Sequence, residues 1–220
     1  KINRNEYELR ILKVAAAVPY VQVADCFYNI EKIEGLMRQA SEKGVQIMAF
    51  PELAVTAYTC LDLFAQQTLL DNAEKALFKL VNDTADLDIL THLTIVGIPL
   101  RTENRLFNTA VAFQGGRILG VVPKTHLSNY KEFQEQRWFT SALELQKPTI
   151  NICGQEYPLD NYLLFNSGHI SVGIEICEDL WVPVPPSSLL AMKGANIIFN
   201  ISASNELIGK HNYLSSLICQ

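Results

Sequence analysis

Asn108-Thr109-Ala110-Val111-Ala112-Phe113-Gln114-Gly115-Gly116-Arg117-Ile118-Leu119-Gly120-Val121-Val122 reads as two strand arms around a two-residue turn. Gly115 and Gly116 can both take positive φ without a steric penalty, which is what the tight hairpin turn requires. A hairpin is antiparallel, so a sheet that contains it cannot be wholly parallel. The chain upstream reads differently. Residues 12–18 form a near-continuous apolar run. Asp25 then stands as N-cap to a helix with apolar positions Phe27, Ile30, Ile33, Leu36, Met37 and Ala40, and Gly44 closes it. Residues 45–50 and 93–100 are strands, and residues 69–81 between them carry helical spacing through Leu70, Ala73, Leu77 and Leu80. Strand, helix, strand, helix, strand calls for crossover connections and parallel pairing.

Downstream of the hairpin the mixture recurs. A second hairpin is expected across Asn166-Ser167-Gly168, and residues 169–176 alternate like a half-buried strand. The proline-rich loop Val182-Pro183-Val184-Pro185-Pro186 leads into a helix over 187–193, with proline suited to its first position. Residues 196–201 are a strand, and a last helix starts near His211. Parallel units interleaved with hairpins predict an α/β fold of two mixed sheets packed face to face with helices outside, rather than a doubly wound single sheet. No internal repeat, low-complexity segment or linker interrupts residues 1–220, so one domain is expected.

Composition bounds the partners. The net charge of −5 and the lack of any Lys/Arg cluster argue against nucleic acid. No stretch reaches the roughly 18 apolar residues of a membrane span, and no signal segment opens the chain, so a cytoplasmic protein without a membrane partner is expected. Cys26, Cys60, Cys153, Cys177 and Cys219 are scattered with no C-x-x-C pair, which indicates neither a zinc site nor a disulfide framework. Glu175, Glu178 and Asp179 sit close together, but no histidine motif accompanies them and no metal is assigned.

Three strand ends carry chemistry. Gly173-Ile174-Glu175-Ile176-Cys177-Glu178-Asp179-Leu180-Trp181 ends an apolar strand in a cysteine followed by two acids, Phe50-Pro51-Glu52 puts a carboxylate after a strand, and Pro123-Lys124 puts an amine after the hairpin's second arm. A lone cysteine there is more often a packed hydrophobe, and a lone Glu or Lys a solvated charge. Together they supply nucleophile, base and cation at the edges of neighbouring strands, where open α/β sheets carry their sites.

The segments Phe50-Pro51-Glu52-Leu53, Pro123-Lys124-Thr125-His126-Leu127 and Gly173 to Trp181 resemble, in order and context, the three motif segments of the nitrilase or carbon–nitrogen hydrolase superfamily. That resemblance implies an αββα sandwich and a Cys-Glu-Lys triad. Glu52-Leu53-Ala54-Val55-Thr56-Ala57-Tyr58, the run from Tyr130 to Phe139, and Ile201-Ser202-Ala203-Ser204-Asn205 are further similar to the glutaminase domain of glutamine-dependent NAD⁺ synthetases. The resemblance implies hydrolysis of L-glutamine through a Cys177 thioester, with Glu52 as general base, Lys124 as oxyanion donor and Glu135 as a second glutamate that positions the lysine. Tyr58, Tyr130, Ser204, Lys210 and Trp181 are implied as substrate contacts, Lys210 standing where some members carry arginine.

It also implies that the ammonia passes to a synthetase domain of the same polypeptide. That domain uses ATP and Mg²⁺ to amidate an adenylated nicotinic acid dinucleotide, the glutaminase domain itself needing no cofactor. No pyrophosphate loop for such a domain is present in this sequence, and the chain stops before the last strands expected of a glutaminase domain. It therefore reads as an N-terminal piece. A homo-oligomer is the family expectation, and a free-standing amidase on another small amide is the alternative. His126 is the histidine nearest the expected site, and His92, His169 and His211 read as surface or helix-end residues.

Overall fold

A computed structural model of the chain describes residues 11–87 and 93–219, and His92 lies outside them. A five-stranded sheet runs in the order β1 (Val14–Ala16), β2 (Ile47–Ala49), β3 (Leu93–Thr102), β4 (Arg105–Gln114), β5 (Arg117–Pro123). β1, β2 and β3 pair in parallel, whereas β3, β4 and β5 pair antiparallel. The change of sense falls at the predicted place, because Gly115 and Gly116 take φ of 56° and 73° in the turn between β4 and β5. A small antiparallel ribbon, β6 (Thr149–Ile152) with β7 (Gln155–Pro158), follows the first sheet. The second main sheet has the order β10 (Ile197–Ile201), β9 (Ile170–Ile176), β8 (Phe165–Ser167), parallel on one side of β9 and antiparallel on the other.

The alternation of side chains divides the core in two. On one face of the five-stranded sheet, Met48, Val96, Ile98, Val111 and Phe113 pack with Ile30, Ile33, Met37, Ala73, Leu77 and Leu80 of α1 (Cys26–Glu42) and α2 (Gln67–Asp83). On the other face, Ile47, Ala49, Ile95, Ala110, Ala112 and Val122 meet Val172, Ile174, Ile176 and Ile201 of the second sheet. The three alanines keep this inter-sheet layer thin, so the strand ends of both sheets meet. α3 (Pro186–Met192) covers the far side of β9 through Leu190, which is wholly buried. The layers are therefore helix, sheet, sheet, helix, as expected.

Some expectations need correction. β9 is not half-buried: every residue from Val172 to Ile176 is inside, because a sheet covers one face and α3 the other. Glu175 tolerates this by accepting from the Ser187 backbone N–H at 2.9 Å and from Asn200 Nδ2 at 3.2 Å. The second hairpin turns at Gly168-His169 instead of across Asn166-Ser167-Gly168. Asp25 does cap α1, accepting from the Tyr28 N–H at 3.0 Å, but the buried stripe uses Cys26 and leaves Phe27 outward. Local periodicity fixes a helical stripe only to within one position when both neighbours are apolar. The β6–β7 ribbon, turning at Cys153-Gly154, was not anticipated: β6 alternates with Ile150 and Ile152 buried, but over only four residues, and β7 is mostly polar. A last helix, α4 (Lys210–Ile218), contains no buried residue. No helix among the described residues is long and apolar enough to cross a membrane.

Candidate active site

Glu52, Lys124 and Cys177 leave β2, β5 and β9 at the same end of the sandwich, and all three are buried. Lys124 Nζ donates to Glu52 Oε1 and to Glu135 Oε1, both at 2.7 Å. Glu135 is no exposed acid. It is 1 % exposed in a 3-10 turn (Glu135–Arg137), and its Oε1 also accepts from the Tyr58 hydroxyl at 2.8 Å. Its Oε2 takes the Ser128 N–H at 3.3 Å. Glu52 accepts from Asn108 Nδ2 at 2.7 Å on Oε1 and from the Ala203 N–H at 3.0 Å on Oε2. Two carboxylates and one ammonium are thus sealed from water with nearly every lone pair engaged, the condition under which a buried charge cluster is tolerable.

The backbone is shaped to bring these groups together. The segment Pro51–Leu53 crosses directly over Gly97 of β3, where an added Cβ would lie 2.3 Å from the Leu53 nitrogen and 2.5 Å from the Pro51 oxygen. Only a residue without Cβ lets the Glu52 segment cross so closely. Cys177 opens a 3-10 turn (Cys177–Trp181) with φ of 49°, a left-handed conformation that costs a non-glycine residue energy. The turn is held by Asp179. Its carboxylate accepts from the Ile176 N–H at 3.1 Å, the His126 N–H at 2.7 Å and the Thr125 N–H at 3.1 Å. Since Thr125 and His126 follow Lys124, this one side chain ties the cysteine segment to the lysine segment. Asn200 Nδ2, 3.3 Å from the Cys177 carbonyl oxygen, adds a second tether from β10.

The electrostatics assign protons. Burial, with the Glu52 and Glu135 charges behind it, pushes the Cys177 thiol from 9.0 to about 12, so Cys177 rests as a neutral thiol. Burial pulls Lys124 down, but Glu52 and Glu135 outweigh it and hold the ammonium above the ordinary lysine range. Burial and the nearby Glu52 charge raise Glu135. Burial also lifts Asp179 from 3.8 to about 7 against the opposing pull of its backbone N–H partners. The constellation can therefore take a proton from a thiol, present a fixed cation to developing negative charge, and return the proton.

The expected substrate contacts sort into two groups. The Tyr58 hydroxyl is committed to Glu135, which makes it a support of the charge cluster and leaves no hydroxyl proton for a ligand. Tyr130, Ser204, Lys210 and Trp181 lie nearer the surface. Tyr130 donates to Glu178 Oε2 at 2.9 Å, beside the Ser128 hydroxyl at 3.1 Å. Lys210 Nζ donates to the Ser204 hydroxyl and to Asn205 Oδ1, the latter at 2.7 Å, and sits 5.5 Å from the centre of the Trp181 ring. Trp181 stacks on Tyr213 at 5.6 Å. Sequence reasoning overlooked Asn108 and the Ala203 N–H, and weighed Glu178 and Asp179 only as metal ligands. Asn108 had a signal: it is a polar residue sharing a strand face with Ala110 and Ala112, both buried. His126 joins the site through its backbone, not its ring. No group of three His, Cys, Asp or Glu side chains among the described residues could hold a metal ion.

Residues 14–215 match the carbon-nitrogen hydrolase family model. This chain belongs to the carbon-nitrogen hydrolase family. Within it, the chain is 36 % identical over 207 residues to the glutamine-dependent NAD(+) synthetase of Mycobacterium tuberculosis, covering 93 % of this chain and 30 % of the relative. It is 30 % identical over 203 residues to the enzyme of the same name from Thermotoga maritima, covering 92 % of this chain and 32 % of that one. The chain thus spans about a third of the length of these relatives. Among solved structures, the glutamine-dependent NAD(+) synthetase of Cytophaga hutchinsonii superposes with a TM-score of 0.80 at 26 % identity, covering 94 % of this chain and 33 % of that chain. An amidase from Nesterenkonia shares the fold at a TM-score of 0.70 and 18 % identity, covering 94 % of this chain and 70 % of its own. The helix, sheet, sheet, helix arrangement is shared with these solved structures.

Proposed function

We propose that this carbon-nitrogen hydrolase domain is a glutaminase: it hydrolyses the side-chain amide of L-glutamine to glutamate and ammonia. The observation that carries the reading is the sealed Glu52–Lys124–Glu135 cluster beside a neutral thiol on a strained turn, in a chain similar to glutamine-dependent NAD(+) synthetases. Glu52 takes the Cys177 proton as sulfur attacks the amide carbon, since a thiol held near 12 is not ionised in advance at neutral pH. The oxyanion is stabilised by Lys124 and by the Glu178 N–H. An ammonium carries three N–H bonds, and two of those on Lys124 are spent on Glu52 and Glu135, which leaves the third for the oxyanion. Glu178 is in the first turn of a 3-10 segment, where N–H groups have no partner inside the turn.

Glu52 then protonates the leaving nitrogen as the C–N bond breaks, and later takes a proton from the water that hydrolyses the thioester. The α-ammonium of glutamine fits the Glu178 carboxylate, which is already oriented by Tyr130 and Ser128. Its α-carboxylate fits Lys210 and Ser204, with the Trp181 ring as wall; since all three Lys210 N–H bonds go to Ser204 and Asn205, the carboxylate takes the place of an Asn205 oxygen on one of them. The ammonia would serve a synthetase domain of the same polypeptide, where ATP and Mg²⁺ drive amidation of the adenylated nicotinic acid dinucleotide to NAD⁺. The decisive experiment measures ammonia release from glutamine by the full-length protein, with and without ATP and the acid dinucleotide, and repeats it with Cys177→Ala. Release should fall by at least about 10³-fold in the variant, as expected for loss of a covalent nucleophile. Unchanged release would overturn the catalytic reading, and turnover of other small amides in preference to glutamine would overturn the substrate.

A further inference from the structure

Asn108 has no part in the triad, yet it grips two of its members. On β4 it stands across the ladder from Lys124, whose backbone N–H donates to the Asn108 carbonyl at 2.8 Å. Its side chain is wholly buried and donates from Nδ2 to Glu52 Oε1 at 2.7 Å, while Oδ1 has no hydrogen-bond partner among the described residues. The amide orientation follows from chemistry, because turning it over would set Oδ1 against a carboxylate oxygen. A buried carbonyl left without a donor is a standing penalty, and such groups persist where a function needs them.

The lone pairs of Glu52 can be counted. Each carboxylate oxygen offers two acceptor positions. On Oε1 both are filled, one by Lys124 Nζ and one by Asn108 Nδ2. On Oε2 one is filled by the Ala203 N–H, which leaves the other to the Cys177 thiol, a hydrogen-bond partner of Glu52. We propose that Asn108 is a positioning residue for amide hydrolysis: by occupying the last free site on Oε1, it confines all proton transfer by Glu52 to Oε2. The inference rests on the amidase reading of the site. In the forward step the S–H bond of Cys177 breaks, its proton passes to Oε2, and sulfur bonds to the amide carbon. When the C–N bond breaks, the same Oε2 proton goes to nitrogen, and ammonia departs. Without Asn108 the carboxylate can rotate or accept on either oxygen, and the base is no longer aimed at the sulfur.

The test uses the full-length protein with Asn108→Leu and Asn108→Asp, reading kcat and KM for glutamine from pH 6 to 9. Asn108→Leu should lower kcat by about 10²-fold, the loss that a misplaced catalytic group brings, with KM changed less than threefold. Asn108→Asp keeps the size but gives a donor only when protonated. It should match Asn108→Leu at pH 9 and recover at least tenfold relative to wild type on going to pH 6. A purely structural role would give no such recovery. If Asn108→Leu fails to fold, as judged by thermal unfolding, Asn108→Asp carries the test. Alkylation of Cys177 by iodoacetamide supplies a readout free of glutamine: Asn108→Leu should slow it at least tenfold at pH 7. Wild-type protein that alkylates at Cys177 but releases no ammonia from glutamine would sink the substrate reading and still test Asn108. Asn108→Leu with kcat and alkylation within threefold of wild type, or Asn108→Asp with an unshifted pH profile, overturns the proposal.

Discussion

The interior cluster and the mouth of the site are built by opposite rules. Inside, Glu52, Lys124 and Glu135 are buried and fixed by hydrogen bonds to one another and from Tyr58, Asn108, Ser128 and Ala203, with Glu52 and Lys124 just past strand ends at the sheet interface. At the mouth, Lys210, Ser204, Tyr130 and Glu178 make their contacts where water can compete, and α4, which carries Lys210, buries no residue. In a low-dielectric interior each charge raises the stakes for every other, whereas exposed pairs contribute little and are screened by salt. The interior should therefore govern kcat and stability together, and the mouth should govern KM alone.

The largest break in that pattern is expected from Lys124→Met. It leaves two buried carboxylates facing each other, so ammonia release should fall by about 10³-fold and stability by about 3–5 kcal/mol. The stability loss carries a pH signature. Glu135 is already raised by burial and by Glu52, and losing the lysine raises it further. A carboxyl with a folded pKa above its unfolded value stabilises at low pH and loses that contribution as pH rises through the folded value. Unfolding temperatures of variant and wild type should hence converge at acid pH and diverge above neutrality. A constant difference across pH would mean that the two glutamates do not share the lysine. Gly97→Ala comes next. It touches no ionisable group, but its methyl would press on the backbone on both sides of Glu52, so about 1–3 kcal/mol of destabilisation should accompany a kcat loss near 10²-fold. Full activity in a folded Gly97→Ala protein would show that the Glu52 segment tolerates displacement.

What could be read in the sequence follows the same division. The strand ends at Glu52, Lys124 and Cys177 were legible because a period-two apolar run stopping at a polar residue is a local signal. The turn of the sheet at Gly115-Gly116 was legible because positive φ at two successive positions has few solutions. Asn108 was not singled out, because its partner Glu52 is 56 positions away and the pairing depends on ladder register. Asp179 misled in a different way: its side chain faces back toward Ile176 and across to Thr125, capping backbone N–H groups that a linear reading cannot see. The burial of Glu175 was hidden for a related reason, since the helix covering it arrives only after the proline-rich loop.

Asp179 supplies the intermediate case, a buried group one step removed from the chemistry. Its carboxyl is raised from 3.8 to about 7, so by the same sign rule its protonation stabilises the fold most below its unfolded value and that contribution drains away between about pH 4 and 7. Asp179→Asn cannot titrate and sets an amide N–H against one of the backbone donors. Its deficit in unfolding temperature relative to wild type should be larger at pH 5 than at pH 8, and kcat should fall by about tenfold as the Cys177 turn loosens from the Lys124 segment. A deficit independent of pH would remove the assigned titration and leave the staple as geometry alone.

The smallest effect, and the sharpest probe of the mouth, is Lys210→Ala. Lys210 reaches Ser204 and the Asn205 carbonyl and side chain, and lies over Trp181, but none of its contacts touches Glu52, Lys124 or Cys177. A group that binds substrate and transition state alike changes KM without changing kcat. KM for glutamine should rise by about tenfold, the worth of one charge-assisted contact in partial competition with water, with kcat held within twofold. The penalty should shrink as salt rises, because an exposed ammonium–carboxylate contact is screened. Lys210→Arg should restore the low KM, since a guanidinium fork fits a carboxylate with two parallel hydrogen bonds where an ammonium offers a point charge. If kcat fell in step with kcat/KM instead, Lys210 would be acting through the interior cluster, and the separation between a buried chemistry and a solvated recognition site would not hold.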